Sequence, residues 1–261
     1  MRLTRTGLDI LYDRTNRQEL IHPDPLEFLS DYPELPDREL AGFIAASLAF
    51  GRVAQILNRL TVVFGLMGPS PRRFIDSASD DCLRDLFGTF RHRFVDGPAF
   101  VCFLKGIRRL LERHGSLESV FRDGQSVQDE TVIPGLVHLF RELGVKGSYL
   151  VPDPSAGAAK RLHLFMRWMV RSDAVDPGGW RGVSPARLVV PLDTHMAHVG
   201  RRYRLTRRRT AGLGMALDIT RAFRKLNPDD PVRYDFSLTR FGIRGELDWP
   251  DLDRLMAVRR R

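Results

Sequence analysis

The chain predicts an all-α protein, and three observations carry the prediction. Apolar residues recur at three- and four-residue steps over most of its 261 residues, glycines stand just past the ends of those runs, and no alternating strand pattern persists. The length is close to the roughly 250 to 300 residues at which a single hydrophobic core stops growing. Residues 1–261 therefore read as one compact helical unit, without internal repeat, low-complexity tract or flexible linker.

The elements follow in order. Leu40, Phe43, Ile44 and Leu48 mark one amphipathic helix, and Val53, Ile56, Leu57, Leu60 and Phe64 a second, with the break near Gly51. Phe100, Phe103, Leu104, Ile107, Leu110 and Leu111 make another, ended by His114-Gly115 in the manner of a glycine cap. A further stretch, Ile133 to Leu143, terminates at Gly144. Leu162, Phe165, Met166, Met169 and Val170 line one face of a helix that opens near Ala159-Lys160, with Arg161, Arg167 and Arg171 expected on its other faces. Val175 to Ser184, rich in proline and glycine, reads as a loop. The next helix begins at Asp193 and presents Met196, Val199, Gly200 and Tyr203. A last helix covers roughly Ala211 to Leu226, and Pro228-Asp229-Asp230-Pro231 punctuates the approach to Tyr234-Asp235-Phe236.

Charge narrows the partners. A formal net charge of +9 and a pI near 10.2 favour polyanions, nucleic acid before an anionic membrane, although a generally solvated basic surface has the same composition. Of the 41 basic residues only four are lysines (105, 146, 160 and 225), so wherever charge suffices this chain uses arginine. A guanidinium stays protonated and is a poor nucleophile, whereas a lysine amine can lose its proton and attack carbon. Two cysteines, Cys82 and Cys102, cannot build a disulfide framework or a four-thiolate cluster. The expected setting is the cytoplasm: no apolar run has the length of a membrane span, and Met1 to Leu20 has no signal-peptide core.

Two segments carry chemistry. In Pro154-Ser155-Ala156-Gly157-Ala158-Ala159-Lys160-Arg161-Leu162, small residues permit close approach of another chain to the backbone. Lys160 opens the next helix, where the helix dipole and Arg161 disfavour protonation, which suits a nucleophile. An ordinary surface lysine occupies such a position more often. In Pro191-Leu192-Asp193-Thr194-His195-Met196-Ala197-His198-Val199, Asp193 is a good helix N-cap, and the apolar Leu188, Val189 and Val190 deliver it at the edge of a buried wall. Partial burial suits it to acid-base or electrostatic work. His195 and His198 have the i, i+3 spacing of a metal pair, but further ligands are not obvious and no metal is expected.

The second segment closely resembles the proline, aspartate and histidine motif of 8-oxoguanine DNA glycosylases in the helix-hairpin-helix (HhH-GPD) superfamily. There a lysine lies upstream on the helix after the hairpin, as Lys160 does here, and the interval of 33 residues to Asp193 is similar to that of the archaeal members. Glu39-Leu40-Ala41-Gly42-Phe43-Ile44-Ala45-Ala46-Ser47 looks like the family's early helix, and Phe90-Arg91-His92-Arg93 through Leu117 resembles its later helix pair. The whole chain also looks like an uncharacterised bacterial family related to that superfamily. Two departures stand out: the leucine-proline-glycine-x-glycine hairpin is reduced to Gly157 in a small-residue run about 150–162, and Phe50 replaces the polar side chains with which many relatives probe DNA.

The resemblance implies a two-lobed helical fold with the active site in the cleft between lobes. It implies a monomer acting on damaged double-stranded DNA, 8-oxoguanine first among lesions, with no cofactor, no iron–sulfur cluster and no membrane. Lys160 would attack the sugar carbon bearing the base and form a Schiff base, and Asp193 would stabilise the developing charge. β-Elimination would then nick the strand, making the protein a bifunctional glycosylase and abasic-site lyase. His195 would contact a phosphate, with Gly157, Arg161 and Arg201 extending the grip. Asp235, a carboxylate able to accept from ring N–H groups, and Phe50 are the candidates for reading the base. Two alternatives stay open: a non-catalytic DNA-binding module of the same fold, and a metal-dependent phosphohydrolase using Asp193, His195 and His198.

Overall fold

Polar caps set most of the helix starts. In the structure, a computed structural model that describes residues 2–145, 147–243 and 249–257, Thr4 accepts from the Gly7 amide and opens α1 (Arg5–Thr15). A 3-10 turn, Pro25–Asp31, then leads into α2 (Leu35–Leu48) and α3 (Val53–Met67). The break between them turns on Gly51, whose φ of +105° and close approach to the Arg93 side chain leave no room for a Cβ. Ser70, Ser79, Asp96 and Ser116 cap α4 (Pro71–Ser77), α5 (Asp80–Phe87), α6 (Gly97–His114) and α7 (Leu117–Asp123). The chain continues through α8 (Ile133–Leu143), α9 (Lys160–Val170), α10 (Thr194–Arg202) and α11 (Leu213–Leu226), and closes with α12 (Asp235–Ile243) and α13 (Trp249–Ala257). Among the described residues the only sheet is a hairpin, β1 (Arg91–His92) antiparallel to β2 (Val95–Asp96).

The protein is thus predominantly helical, as the periodicity predicts, and the breaks near Gly51, Gly115 and Gly144 fall where glycine was expected to stop a helix. One continuous apolar core runs through it. Its centre is α2 against α9, where the rings of Phe43 and Phe165 meet edge-on with centroids 5.1 Å apart. Beside them Glu39 is buried and accepts from the amides of Leu117 and Glu118 and from Trp180 Nε1, all within 2.9 Å. A single carboxylate from α2 thereby serves the first turn of α7 and pins the 175–184 loop.

Four expectations are corrected. The helix ending at Leu226 is not the last, since α12 and α13 follow; α13 packs on α1, a helix the alternation of charged and apolar residues before Leu20 concealed. Phe90 to Arg93 leads into the hairpin rather than a helix. Arg167 and Arg171 are buried, not turned to solvent. Periodicity consigns arginine to the outside because an unpaired guanidinium is rarely buried, yet here carboxylates from distant segments meet both side chains. Arg167 Nε lies 3.1 Å from Asp176, and Arg171 bonds Asp173, Asp176 and Asp230.

Candidate functional site

Two helix N-termini converge on one cleft. α9 begins with Lys160, preceded by Ala159 in the left-handed conformation (φ +40°, ψ +42°), an uncommon state for a residue with a side chain. α10 begins after Asp193, whose Oδ1 accepts from the Met196 amide at 2.7 Å as an N-cap. The cap fixes the carboxylate and leaves Oδ2 free to face Lys160 Nζ at 3.7 Å. Capping and pairing are therefore compatible uses of one side chain. The wall behind Asp193 is dry, as its neighbours predicted: Leu188, Val189 and Val190 are buried, and the Val190 amide donates to Thr220 Oγ1 at 3.0 Å.

The cleft has a volume of about 530 Å³ and is lined by Phe50, Lys160, Trp168, Asp193, His195 and Asp235, among others. Four of the residues singled out in the sequence as catalytic or base-reading, Lys160, Asp193, Asp235 and Phe50, thus share one cavity with His195. Asp235 is buried, and its Oδ2 accepts from Arg167 Nη1 at 2.6 Å. Burial, reinforced by the nearby Asp193 charge and opposed by Arg167, raises its pKa to about 6. Arg167 and Trp168 also line the cleft. Three buried atoms there, Asp235 Oδ1, Arg167 Nη2 and Trp168 Nε1, have no hydrogen-bond partner among the described residues. One acceptor and two donors are thus left unsatisfied beneath the cleft wall, shielded from solvent.

Aromatic rings extend from the cleft toward solvent. Phe50 packs on His92 and on Tyr149, with centroids 4.5 and 5.0 Å apart, and Tyr149 in turn meets Phe94 at 5.0 Å. Phe94 is at the turn of the hairpin and is 68% exposed, more than its neighbour Tyr149. His92 Nε2 faces the carbonyls of Leu48 and Phe50 at 3.1 and 3.0 Å, so it must donate, and this ties the hairpin to the end of α2.

The remaining expectations divide. Arg161 does not reach out to a phosphate: its guanidinium donates to the carbonyls of Ser47, Tyr149 and Leu150 and lies over the Phe50 ring at 4.7 Å. Burial lowers its pKa to about 10. It satisfies the Ser47 carbonyl in the last turn of α2 and ties that turn to the 149–150 segment ahead of α9, which is a positioning role. Gly157 is half-buried with open space where a Cβ would stand, and its φ is not left-handed, so the fold itself does not demand glycine there. Arg201 is exposed at the end of α10, outside the cleft, and donates to the Arg209 carbonyl at 3.0 Å. His198 turns from His195 to stack on Trp249 at 4.5 Å. Among the described residues no group of three or more His, Cys, Asp or Glu is disposed to hold a metal ion, and no helix is long and apolar enough to cross a membrane. Lys146 lies outside the described residues.

Sequence reasoning missed the ionic layer beneath the cleft. Asp176 and Trp168 had no signal beyond a loop aspartate and an apolar helix face, and Arg167 looked like surface charge. No curated protein and no solved structure matches the chain. The model of the family described as a protein of unknown function, DUF2400, matches residues 24–244, which takes in every residue lining the cleft except Pro23, and the chain belongs to that family.

Proposed function

We propose that the protein is a DNA base-excision glycosylase with abasic-site lyase activity, built on a two-lobed helix-hairpin-helix fold, with 8-oxoguanine as the leading substrate. The observation that carries this reading is the Lys160–Asp193 pair, 3.7 Å apart where two helix N-termini meet over a cleft. Two N-termini and His195 at the rim suit a DNA phosphate. A base taken out of the stack would find Phe50 beside it and the Asp235–Arg167 pair in the wall of the cleft. Phe94, exposed on its hairpin, would press on the neighbouring bases.

The chemistry needs no redox partner. The Lys160 amine, as the free base, donates its lone pair to the sugar C1′, and the C1′–N bond breaks with its electrons leaving on the base, which takes up a proton. The carboxylate of Asp193 stabilises positive charge on the sugar as this happens. Ring opening gives an imine between Nζ and C1′. Loss of a C2′ proton then expels the 3′ phosphate, and water releases the amine.

Borohydride reduces that imine to a stable amine, so it traps the protein on DNA. An adduct on a labelled 8-oxoguanine duplex is expected for the wild-type chain and should vanish in Lys160→Gln, and equally in Lys160→Arg, which keeps the charge. Trapping on an abasic duplex alone keeps the lyase chemistry and removes the lesion from the proposal. No adduct on either duplex, with DNA binding intact, overturns the enzyme reading in favour of a binding module of the same fold.

A further inference from the structure

At the far end of α10 from Asp193 lies a second, larger groove, of about 1100 Å³, between the 203–207 loop and α11. It shares no lining residue with the cleft. Five cations border it: Arg2, Arg204, Arg207, Arg221 and Lys225. Its one carboxylate, Asp218, is already engaged by Thr206, Arg208 and Arg221 at 2.9, 3.0 and 3.5 Å. Arg2, Arg204, Arg207 and Lys225 are exposed and have no carboxylate within 4.0 Å among the described residues.

The groove is held in shape rather than left to chance. The amides of Leu205 and Thr206 both donate to the Gly200 carbonyl, at 2.8 and 3.4 Å, and Arg204 adopts a φ of +56°. Gly200 lies close under α11, where a Cβ would meet the end of the Ile219 side chain at 2.5 Å and have to displace it. Tyr203 is anchored through its hydroxyl to Asp253 at 2.7 Å. On the opposite wall, Arg221 and Lys225 stand one helical turn apart on α11.

We propose that this groove is a second phosphate-binding site, which takes the backbone of a nucleic acid where it runs beyond the cleft. Unpaired cations spread along the groove, Arg2, Arg204 and Arg207 with Lys225 on the α11 wall, suit successive phosphodiesters, not a single compact anion. From Asp193 to Arg202, where α10 ends, the helix advances about 14 Å, at 1.5 Å per residue. That span corresponds to roughly four to five phosphates along one B-form strand, at 3.4 Å per nucleotide. The proposal rests on the nucleic-acid part of the reading above and is independent of the chemistry at Lys160.

The four lysines make the test direct, because an amine-reactive reagent read by mass spectrometry reports Lys160 in the cleft and Lys225 in the groove separately. Lys105, paired with Asp80 at 2.5 Å and in neither cavity, is the internal reference. With the full chain saturated by an undamaged duplex several helical turns long, Lys225 should lose most of its reactivity while Lys105 keeps it. The double variant Arg207→Glu with Lys225→Glu should weaken duplex binding at least about tenfold at low salt and lower the slope of log K against log salt by about 2. The exposed pair Arg73→Glu with Arg181→Glu makes the same change in net charge and should leave that slope unchanged.

Undiminished reactivity of Lys225 under saturating duplex overturns the proposal, as does an equal loss of slope in the two double variants. Protection of Lys225 by inorganic triphosphate or by anionic lipid vesicles, but not by duplex, overturns it in favour of another anion. Protection of Lys225 without borohydride trapping sinks the excision reading and leaves the groove standing.

Discussion

The arginines of α9 and those of the 201–209 stretch are the same residue type put to opposite uses. On α9, Arg161 holds three backbone carbonyls, Arg167 joins Asp176 to Asp235, and Arg171 is surrounded by Asp173, Asp176 and Asp230. Between 201 and 209 every arginine is exposed, and the ion pairs there, such as Arg202 with Asp253 and Arg208 with Asp218, lie at the surface. A net charge of +9 does not distinguish the two. Of the α9 arginines, Arg167 and Arg171 are buried and neutralised by their own carboxylates, whereas Arg161 is satisfied by carbonyls. The exposed set is the part of the charge that a polyanion can reach. The attraction to polyanions expected from composition therefore belongs to one end of α10 and the rims, not to α9, which carries Lys160.

The largest expected effect would break the comparison if it failed to appear. Arg167→Leu removes the cation from between Asp176 and Asp235 and leaves two buried carboxylates facing one another with a single guanidinium, that of Arg171, remaining beside Asp176. Removing one partner of a buried ion pair costs about 3 to 5 kcal/mol, because the desolvation of the other is no longer offset. Urea denaturation of this variant should show a loss of that size with the slope against denaturant unchanged. A loss below about 1 kcal/mol, the range of surface pairs, would mean that Arg167 is as solvated as the 201–209 run.

A smaller effect sharpens the picture through pH. Asp235 has a folded-state pKa of about 6, above its ordinary value, so between roughly pH 4 and 6 the folded chain binds more protons than the unfolded one. Its contribution to stability is present at the low end of that window and is lost as pH rises through 6. The shift corresponds to about 2 to 3 kcal/mol over the window. Asp235→Asn cannot titrate, so the difference in unfolding free energy between wild type and variant should change by that amount from pH 4 to 6 and be flat above about 7. Parallel profiles would remove Asp235 from the titrating groups of the cleft and place its charge under the control of Arg167 alone.

What was legible in the sequence and what was not follows the same division. Asp193 could be read because a cap is a local event: the carboxylate bonds an amide three residues on, and the apolar run before it announces a buried wall. The breaks at Gly51 and Gly115 were readable because a left-handed glycine leaves its mark at a single position. Arg167 and Arg171 were not, since their burial depends on Asp176, Asp230 and Asp235, which lie up to 68 positions away. Arg161 was misread for the same reason: its partners are backbone carbonyls at 47, 149 and 150, and carbonyls carry no sequence signature. Lys160 and Asp193 were paired through a resemblance, and only the convergence of the N-termini of α9 and α10 supplies the 3.7 Å between them.

The smallest effect is expected at the exposed end, and it is the converse of Arg167→Leu. Arg201 is on the last turn of α10, open to solvent, with one hydrogen bond to the Arg209 carbonyl. Arg201→Ala should change the unfolding free energy by no more than about 0.5 kcal/mol, as surface substitutions away from caps and cores do. If the run serves as a polyanion contact, the same variant should lower the salt slope of duplex binding by about 0.9, the signature of one phosphate released. Stability untouched and slope reduced is the pattern of a side chain kept for a partner. Stability reduced by more than about 1 kcal/mol with the slope unchanged would put Arg201 with the arginines of α9, and the two ends of the molecule would no longer differ in kind.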